Sequence, residues 1–209
     1  MHLIVVEGLD GAGKNTLVGG LVGAWQARGL VVAQFTFPRY RRSVFADLAA
    51  EALHGEHGDL RDSVYAMAML FALDRSAAAA EIRAALDSAD VVVADRYVAS
   101  NAAYSAARLG QGADGEVVDW VRELEFDRFA LPVPDHQLLL GVPAEVAMSR
   151  AQRRAGADPA RARDHYERDS ALQVRVDAVY RSLAAKGWVS PWTLVDDSDP
   201  TALAAQLLS

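Results

Sequence analysis

The stretch Gly8-Leu9-Asp10-Gly11-Ala12-Gly13-Lys14 follows the short apolar run Leu3-Ile4-Val5-Val6 and opens onto Thr16 to Arg28, where apolar residues recur at helical spacing. Strand, glycine loop and helix in that order make G-x-x-x-x-G-K a phosphate cradle. Glycines let backbone N–H groups converge on phosphate oxygens, the helix N-terminus adds positive potential, and the Lys14 ammonium places a point charge near the bridging phosphates. Gly8, Leu9, Asp10, Gly11, Ala12, Gly13, Lys14, Asn15 and Thr16 are therefore expected to hold the phosphates of a nucleoside triphosphate. The residue after the lysine is Asn15, where such loops usually offer Mg2+ a Ser or Thr hydroxyl, and Thr16 comes one residue late.

Outward from this loop the chain alternates between short apolar runs and amphipathic segments. Further strands are expected at Val31 to Phe37, Val91 to Ala94, His136 to Val142 and, more weakly, Thr193 to Val195. Helices are expected at Val44 to Leu53, Ser63 to Leu86, Asn101 to Leu109, Gly115 to Phe129, Ala144 to Arg154, Asp164 to Lys186 and Pro200 to Leu208. This is βαβ alternation, so the expected fold is α/β: a parallel sheet covered by helices, with ligands at the carboxyl ends of its strands. At 209 residues the chain suits one domain, 1–209, with an insertion.

Composition removes several function classes. The net charge is −7, and a general nucleic-acid binder needs a dominant basic face. The longest stretch free of Asp, Glu, Lys and Arg is 13 residues, short of the ~20 a membrane helix requires. The amino end has no basic segment before its apolar run, so a cytoplasmic protein is expected. There is no cysteine, which excludes disulfides, thiolate zinc sites and cysteine nucleophiles.

A phosphate cradle alone does not separate kinases from other nucleotide-binding proteins. No N-K-x-D segment is present for guanine recognition, and the chain has no room for a motor's accessory domains. The run Val91-Val92-Val93-Ala94 ends at Asp95-Arg96-Tyr97, which puts Asp95 where a carboxylate could reach Mg2+ or cap the next helix. A kinase for a small acceptor and a catalytically idle nucleotide switch both remain open on these residues.

Five segments in register decide further: Glu7 to Lys14, Phe37-Pro38-Arg39-Tyr40, Leu70-Phe71-Ala72-Leu73-Asp74-Arg75, Asp95-Arg96-Tyr97 with Ser100-Asn101 and Tyr104, and Asp164-His165-Tyr166-Glu167-Arg168-Asp169. Together they resemble the thymidylate kinase family, most closely its actinobacterial forms, across nearly the whole chain. The resemblance implies a P-loop nucleoside monophosphate kinase fold with a five-stranded parallel sheet, a homodimer, ATP with Mg2+ as donor and dTMP as acceptor. It implies an acceptor site made of Asp10, Phe37, Arg39, Tyr40, Phe71, Arg75, Arg96, Ser100, Asn101, Tyr104, Asp164 and Tyr166, with Asp10 near the 3′-hydroxyl and the metal. Each assignment makes physical sense at its position. Phe71 and Arg75 are i, i+4 on one helix, so a stacking ring and a guanidinium donor for the thymine O4 share a face. Asn101 carries a donor and an acceptor and could read the Watson–Crick edge, or it could cap a helix. Arg39 and Arg96 end extended segments where arginine could grip the acceptor phosphate, and Tyr104 would leave no room for a 2′-hydroxyl.

The last feature is a basic segment from Arg150 through Arg153, Arg154, Arg161 and Arg163 to Arg168, six arginines against Asp158, Asp164 and Glu167. Beside a phosphate cradle it is expected to be a lid, about 148–164, that excludes water and supplies charge to the transferring group. Lys14, Arg96, Asp10, Arg150 and Arg154 are thus the expected catalytic residues. Asp95 by its place at a strand end, and Asp10 and Glu167 as the resemblance implies, are the expected metal residues, and Arg150 and Arg154 share a helix face as i, i+4.

Overall fold

A computed structural model of the chain describes residues 1–157, 164–196 and 199–208, the side chains at 154, 156 and 157 excepted. Arg161 and Arg163, the carboxyl-terminal part of the expected lid and the Arg154 side chain therefore lie outside the described residues. The five strands are β1 (His2–Glu7), β2 (Val32–Thr36), β3 (Val91–Asp95), β4 (His136–Leu140) and β5 (Trp192–Val195). They form one all-parallel sheet, as the alternation predicts, and its strand order is β2-β3-β1-β4-β5. Central strands buried on both faces need continuous apolar runs, and Leu3 to Val6 and Val91 to Ala94 are such runs, all buried.

The period of two along a strand sorts these side chains into two cores. Ile4, Val6, Val91, Val93, Leu138 and Leu140 face α1 (Lys14–Ala27) and α9 (Pro200–Gln206), where the Trp25 indole donates to the Ala204 carbonyl at 3.0 Å. Leu3, Val5, Val92, Ala94 and Leu139 face the larger core, built with α2 (Val44–Leu53), α3 (Val64–Ser88), α4 (Val98–Arg108), α5 (Glu116–Arg122) and α8 (Ser170–Ala185). The helix α6 (Ala144–Ala157) leaves β4 and passes over the glycine loop.

Three helix expectations change. Asp164 to Lys186 is two helices, α7 (His165–Arg168) and α8, because Asp164 accepts from Glu167 N and Asp169 from Leu172 N, each starting a new helix. Gly115 to Phe129 begins as α5 and continues as a π-helical turn, Glu123–Arg128, which rotates Glu125 into the core. Asn101 is no cap, since α4 already starts at Val98.

Candidate active site

Glycine at Gly11 (φ 85°) and Gly13 (φ 103°) lets the loop after β1 curl around an open centre, a turn a side chain would strain. At Gly11 a Cβ would also run into the backbone of Ala147, so α6 rests directly on the loop. Lys14 is the first residue of α1, and its Nζ bends back to donate to the carbonyls of Gly8 (3.1 Å) and Leu9 (2.9 Å). Burial, reinforced by the Arg96 charge and opposed by Asp10, brings its ammonium down to about 8. Asp10, Gly11, Gly13, Lys14, Asn15 and Thr16 line one end of a cavity of about 570 Å3. Gly8, Leu9 and Ala12 shape the loop from behind, with the Leu9 and Ala12 side chains in the core.

The cavity runs from this loop along the carboxyl ends of β1, β2 and β3. Arg96 follows β3 in the left-handed region (φ 67°), an uncommon place for a side chain that costs about 1–3 kcal/mol and persists where neighbours hold it. Those neighbours are explicit. Its Nη2 donates to Asp10 Oδ1 at 2.7 Å, and its Nη1 to Ser100 Oγ (3.1 Å) and the Tyr180 hydroxyl (3.4 Å). Burial alone would raise the Asp10 carboxyl, but the charges of Arg96 and Lys14 outweigh it and hold Asp10 well below the usual carboxylate range.

Glu7, at the end of β1 and fully buried, fixes this corner. Its Oε1 accepts from the backbone of Tyr97 (2.8 Å) and Ser100 (3.2 Å), and its Oε2 from Ser100 Oγ (2.6 Å) and the Tyr180 hydroxyl (2.9 Å). The N-cap residue of α4, Tyr97, offers no side-chain cap, and Glu7 fills that role from another element while its charge faces the positive helix end.

The far end of the cavity is the expected base pocket. Phe37, Phe71, Arg75 and Asn101 line it together: Phe71 and Arg75 share a face of α3 as their i, i+4 spacing requires, and α4 brings Asn101 to them. Arg75 is nearly inaccessible and pairs with Glu125 through Nε (2.5 Å) and Nη2 (2.7 Å). Tyr104 donates to Asp10 Oδ2 (3.3 Å) and stacks on Tyr166 with ring centres 6.0 Å apart. Burial, then the nearby Asp10 charge, pushes its phenol far above the ordinary value, so its O–H stays a donor. Tyr40, Ser100, Asp164, Tyr166, Glu167 and Arg150 also line the cavity, Arg150 from α6 above the glycine loop.

One expected site residue is placed elsewhere. Arg39 does not reach the cavity: its Nε and backbone N–H donate to the Asp74 carboxylate, both at 2.9 Å, and its Nη2 to the Asp74 carbonyl at 2.8 Å. A buried guanidinium needs such a partner, and Asp74, fully buried on α3, takes it, so Arg39 braces the loop after β2 and is not brought to the cavity lining with the other expected acceptor residues. Sequence reasoning also missed Glu7, Glu125, Tyr180 and Arg108. Arg108 lines the cavity with its Nη1 on the Tyr166 hydroxyl (2.5 Å) and its guanidinium 4.8 Å from that ring centre.

Asp95, expected at the metal, ends β3 beside the cavity, and its Oδ1 is buried with no hydrogen-bond partner among the described residues. A buried carboxylate oxygen left open is expensive unless a cation or its water fills it. No helix among the described residues is long and apolar enough to cross a membrane.

A family model described as thymidylate kinase matches residues 6–202. Among curated proteins the chain is 59% identical to the thymidylate kinase of Mycobacterium tuberculosis, over 98% of this chain and 96% of that one. It is 32% identical to the thymidylate kinase of Rhizorhabdus wittichii over 99% and 95% of the two chains, and 34% identical to that of Solidesulfovibrio magneticus over 87% and 85%.

Proposed function

The chain belongs to the thymidylate kinase family, a family of nucleoside monophosphate kinases that phosphorylate dTMP, and on that premise we propose that it transfers the γ-phosphoryl group of ATP, with Mg2+, to dTMP, giving dTDP and ADP. The observation that carries this reading is one continuous cavity with a phosphate cradle at one end, an imide-reading pair at the other, and Arg96 between them. The whole chain, 1–209, then acts as a single kinase domain with the lid at about 148–164, as a cytoplasmic homodimer, with no nucleic acid or membrane partner.

ATP phosphates lie on the loop from Gly8 to Thr16, where Lys14 turns from the Gly8 and Leu9 carbonyls to the bridging oxygens. The dTMP base stacks on Phe71 between Arg75 and Asn101, Tyr104 closes the space beside the sugar C2′, and Asp10 takes the 3′-hydroxyl. Arg96 holds the acceptor phosphate, with Tyr40, Asp164 and Tyr166 around it. That phosphate is already anionic at neutral pH, so no general base is needed, and turnover depends on alignment and charge neutralisation by Lys14, Arg96, Arg150 and Arg154. The open Asp95 oxygen fits a divalent cation or its water, and with Asp10 and Glu167 makes the set that would hold Mg2+, whose charge offsets that of the phosphates.

ADP release measured with dTMP, dUMP and dGMP tests the reading. Turnover is expected to be fastest with dTMP, slower with dUMP, and absent with dGMP. A protein that binds ATP but releases ADP with none of the three would be a nucleotide switch instead.

A further inference from the structure

The π-helical turn after α5 places a carboxylate where the base pocket needs one. Glu125 is fully buried, and three nitrogens donate to it: Arg75 Nε to Oε2 (2.5 Å), Arg75 Nη2 to Oε1 (2.7 Å) and Asn101 Nδ2 to Oε1 (2.8 Å). The second hydrogen of Asn101 Nδ2 goes to the Ala68 carbonyl at 2.9 Å. Both groups facing that end of the amide, a carboxylate paired with an arginine and a backbone carbonyl, only accept, so the atom facing them has to be the nitrogen. Both amide hydrogens are thereby used. Asn101 Oδ1 has no protein donor among the described residues and is left for the cavity, as is Arg75 Nη1, the guanidinium nitrogen that Glu125 does not bind.

We infer that Glu125 is a positioning residue that sets base selectivity: by taking one N–H each from Asn101 Nδ2, Arg75 Nε and Arg75 Nη2, while the Ala68 carbonyl takes the other Asn101 hydrogen, it leaves Asn101 Oδ1 as acceptor beside Arg75 Nη1 as donor. Thymine and uracil present the complement, a C4 carbonyl that accepts next to an N3–H that donates. Cytosine presents the reverse at both positions, an amino donor at C4 and a bare N3 acceptor, and so meets donor against donor and acceptor against acceptor. The C5-methyl plays no part in this discrimination, so dUMP and dCMP are the pair that isolates it. The inference deepens the acceptor-site reading above and rests on it.

Glu125→Gln is the informative change because it keeps the shape and removes the uniform acceptor character. Whichever way the new amide lies, its NH2 faces either Arg75 Nε or the pair Arg75 Nη2 and Asn101 Nδ2, so one of the two readers must release or turn. The KM for dTMP is expected to rise about tenfold or more, with kcat and the KM for ATP within about twofold, and the dUMP:dCMP ratio of kcat/KM, at least about a hundredfold in the parent, is expected to shrink by about tenfold. A folded variant with an unchanged dUMP:dCMP ratio would overturn the inference even with a raised KM, because a merely structural carboxylate lowers both substrates alike. The parent protein offers a test that needs no variant. In a 15N spectrum both Nδ2 protons of Asn101 should be protected from solvent exchange without ligand and keep their shifts when dTMP is added; fast exchange, or a new bond from Nδ2 to dTMP, would overturn it. Parent protein that phosphorylates no nucleotide contradicts the functional reading itself, whereas parent protein that uses dTMP, dUMP and dCMP alike contradicts only the role of Glu125.

Discussion

Arg96 Nη2 sits 2.7 Å from Asp10 Oδ1, so the residue expected to hold the acceptor phosphate is tied to the loop expected to hold the donor. With substrate absent the two charges neutralise each other; with substrate bound, Arg96 can extend its remaining donors to phosphate without leaving its place. Arg96→Ala is expected to lower kcat by about 10³ or more, the scale of an arginine in phosphoryl transfer, with far-UV circular dichroism unchanged. A loss under tenfold in the ADP-release assay would remove Arg96 from the transfer step.

Lys14 predicts an alkaline limb. Its ammonium titrates at about 8 in the free protein through burial and the Arg96 charge, so above that pH the cradle loses its cation. kcat/KM for ATP, which reports the free enzyme, should be level below pH 8 and fall above it, and Lys14→Ala should lose most turnover while still binding dTMP in calorimetry. The linkage to stability has the opposite slope. The ordinary value is 10.5, so the folding penalty from this buried charge is fully present below pH 8 and fades between 8 and 10.5. A kcat/KM profile flat to pH 9.5 would contradict the assignment.

Glu7 gathers two backbone and two hydroxyl donors under the start of α4. Glu7→Gln puts an NH2 against donors and removes the charge at a helix N-terminus, for an expected loss of about 2–4 kcal/mol in urea unfolding. Because Ser100 and Tyr180 also hold Arg96, kcat should fall along with stability, and unfolding free energies within about 0.5 kcal/mol of the parent would refute the cap.

Asn15 leaves the glycine loop without an extra cation, which puts the demand on α6. Arg150→Ala/Arg154→Ala should lose at least about tenfold in kcat with dTMP affinity nearly unchanged, and Asn15→Arg added to that pair should restore part of the rate. Parental turnover in the folded double variant, saturated in both substrates, would reduce the segment to a solvated basic surface.

The central strands β1 and β3 were legible as continuous apolar runs, β2 and β4 less sharply because Gln34, Thr36, His136 and Gln137 interrupt them, β5 least as a short mixed stretch, and the glycine loop because its spacing has few other uses. The break at Asp169 was written as a second cap, but one aspartate inside a periodic stretch is indistinguishable from a surface charge until the backbone turns. Arg39 carried the residue type for phosphate but not the information that Asp74, 35 positions on, would claim it. Glu125 was invisible for the same reason: a glutamate in a helical stretch reads as solvent-facing, and only the extra residue of the π turn, bringing it to Arg75 from 50 positions away, shows otherwise. A buried carboxylate with several donors leaves no local pattern in sequence, since all its partners come from other elements.

The sheet register has a metrological consequence. Val6 on β1 pairs with Asp95 on β3, and Arg96 N continues the ladder onto the Val6 carbonyl at 2.9 Å, so the donor loop and the acceptor arginine issue from adjacent rungs. Neighbouring strands stand about 4.8 Å apart, and a one-residue slip would displace Arg96 by about 3.3 Å along its strand. A misplacement of about 1 Å can cost a hundredfold in rate. Backbone hydrogen bonds thus set where the donor loop and the acceptor arginine leave the sheet, and the side chains of Asp10, Ser100 and Tyr180 fix the guanidinium from that origin.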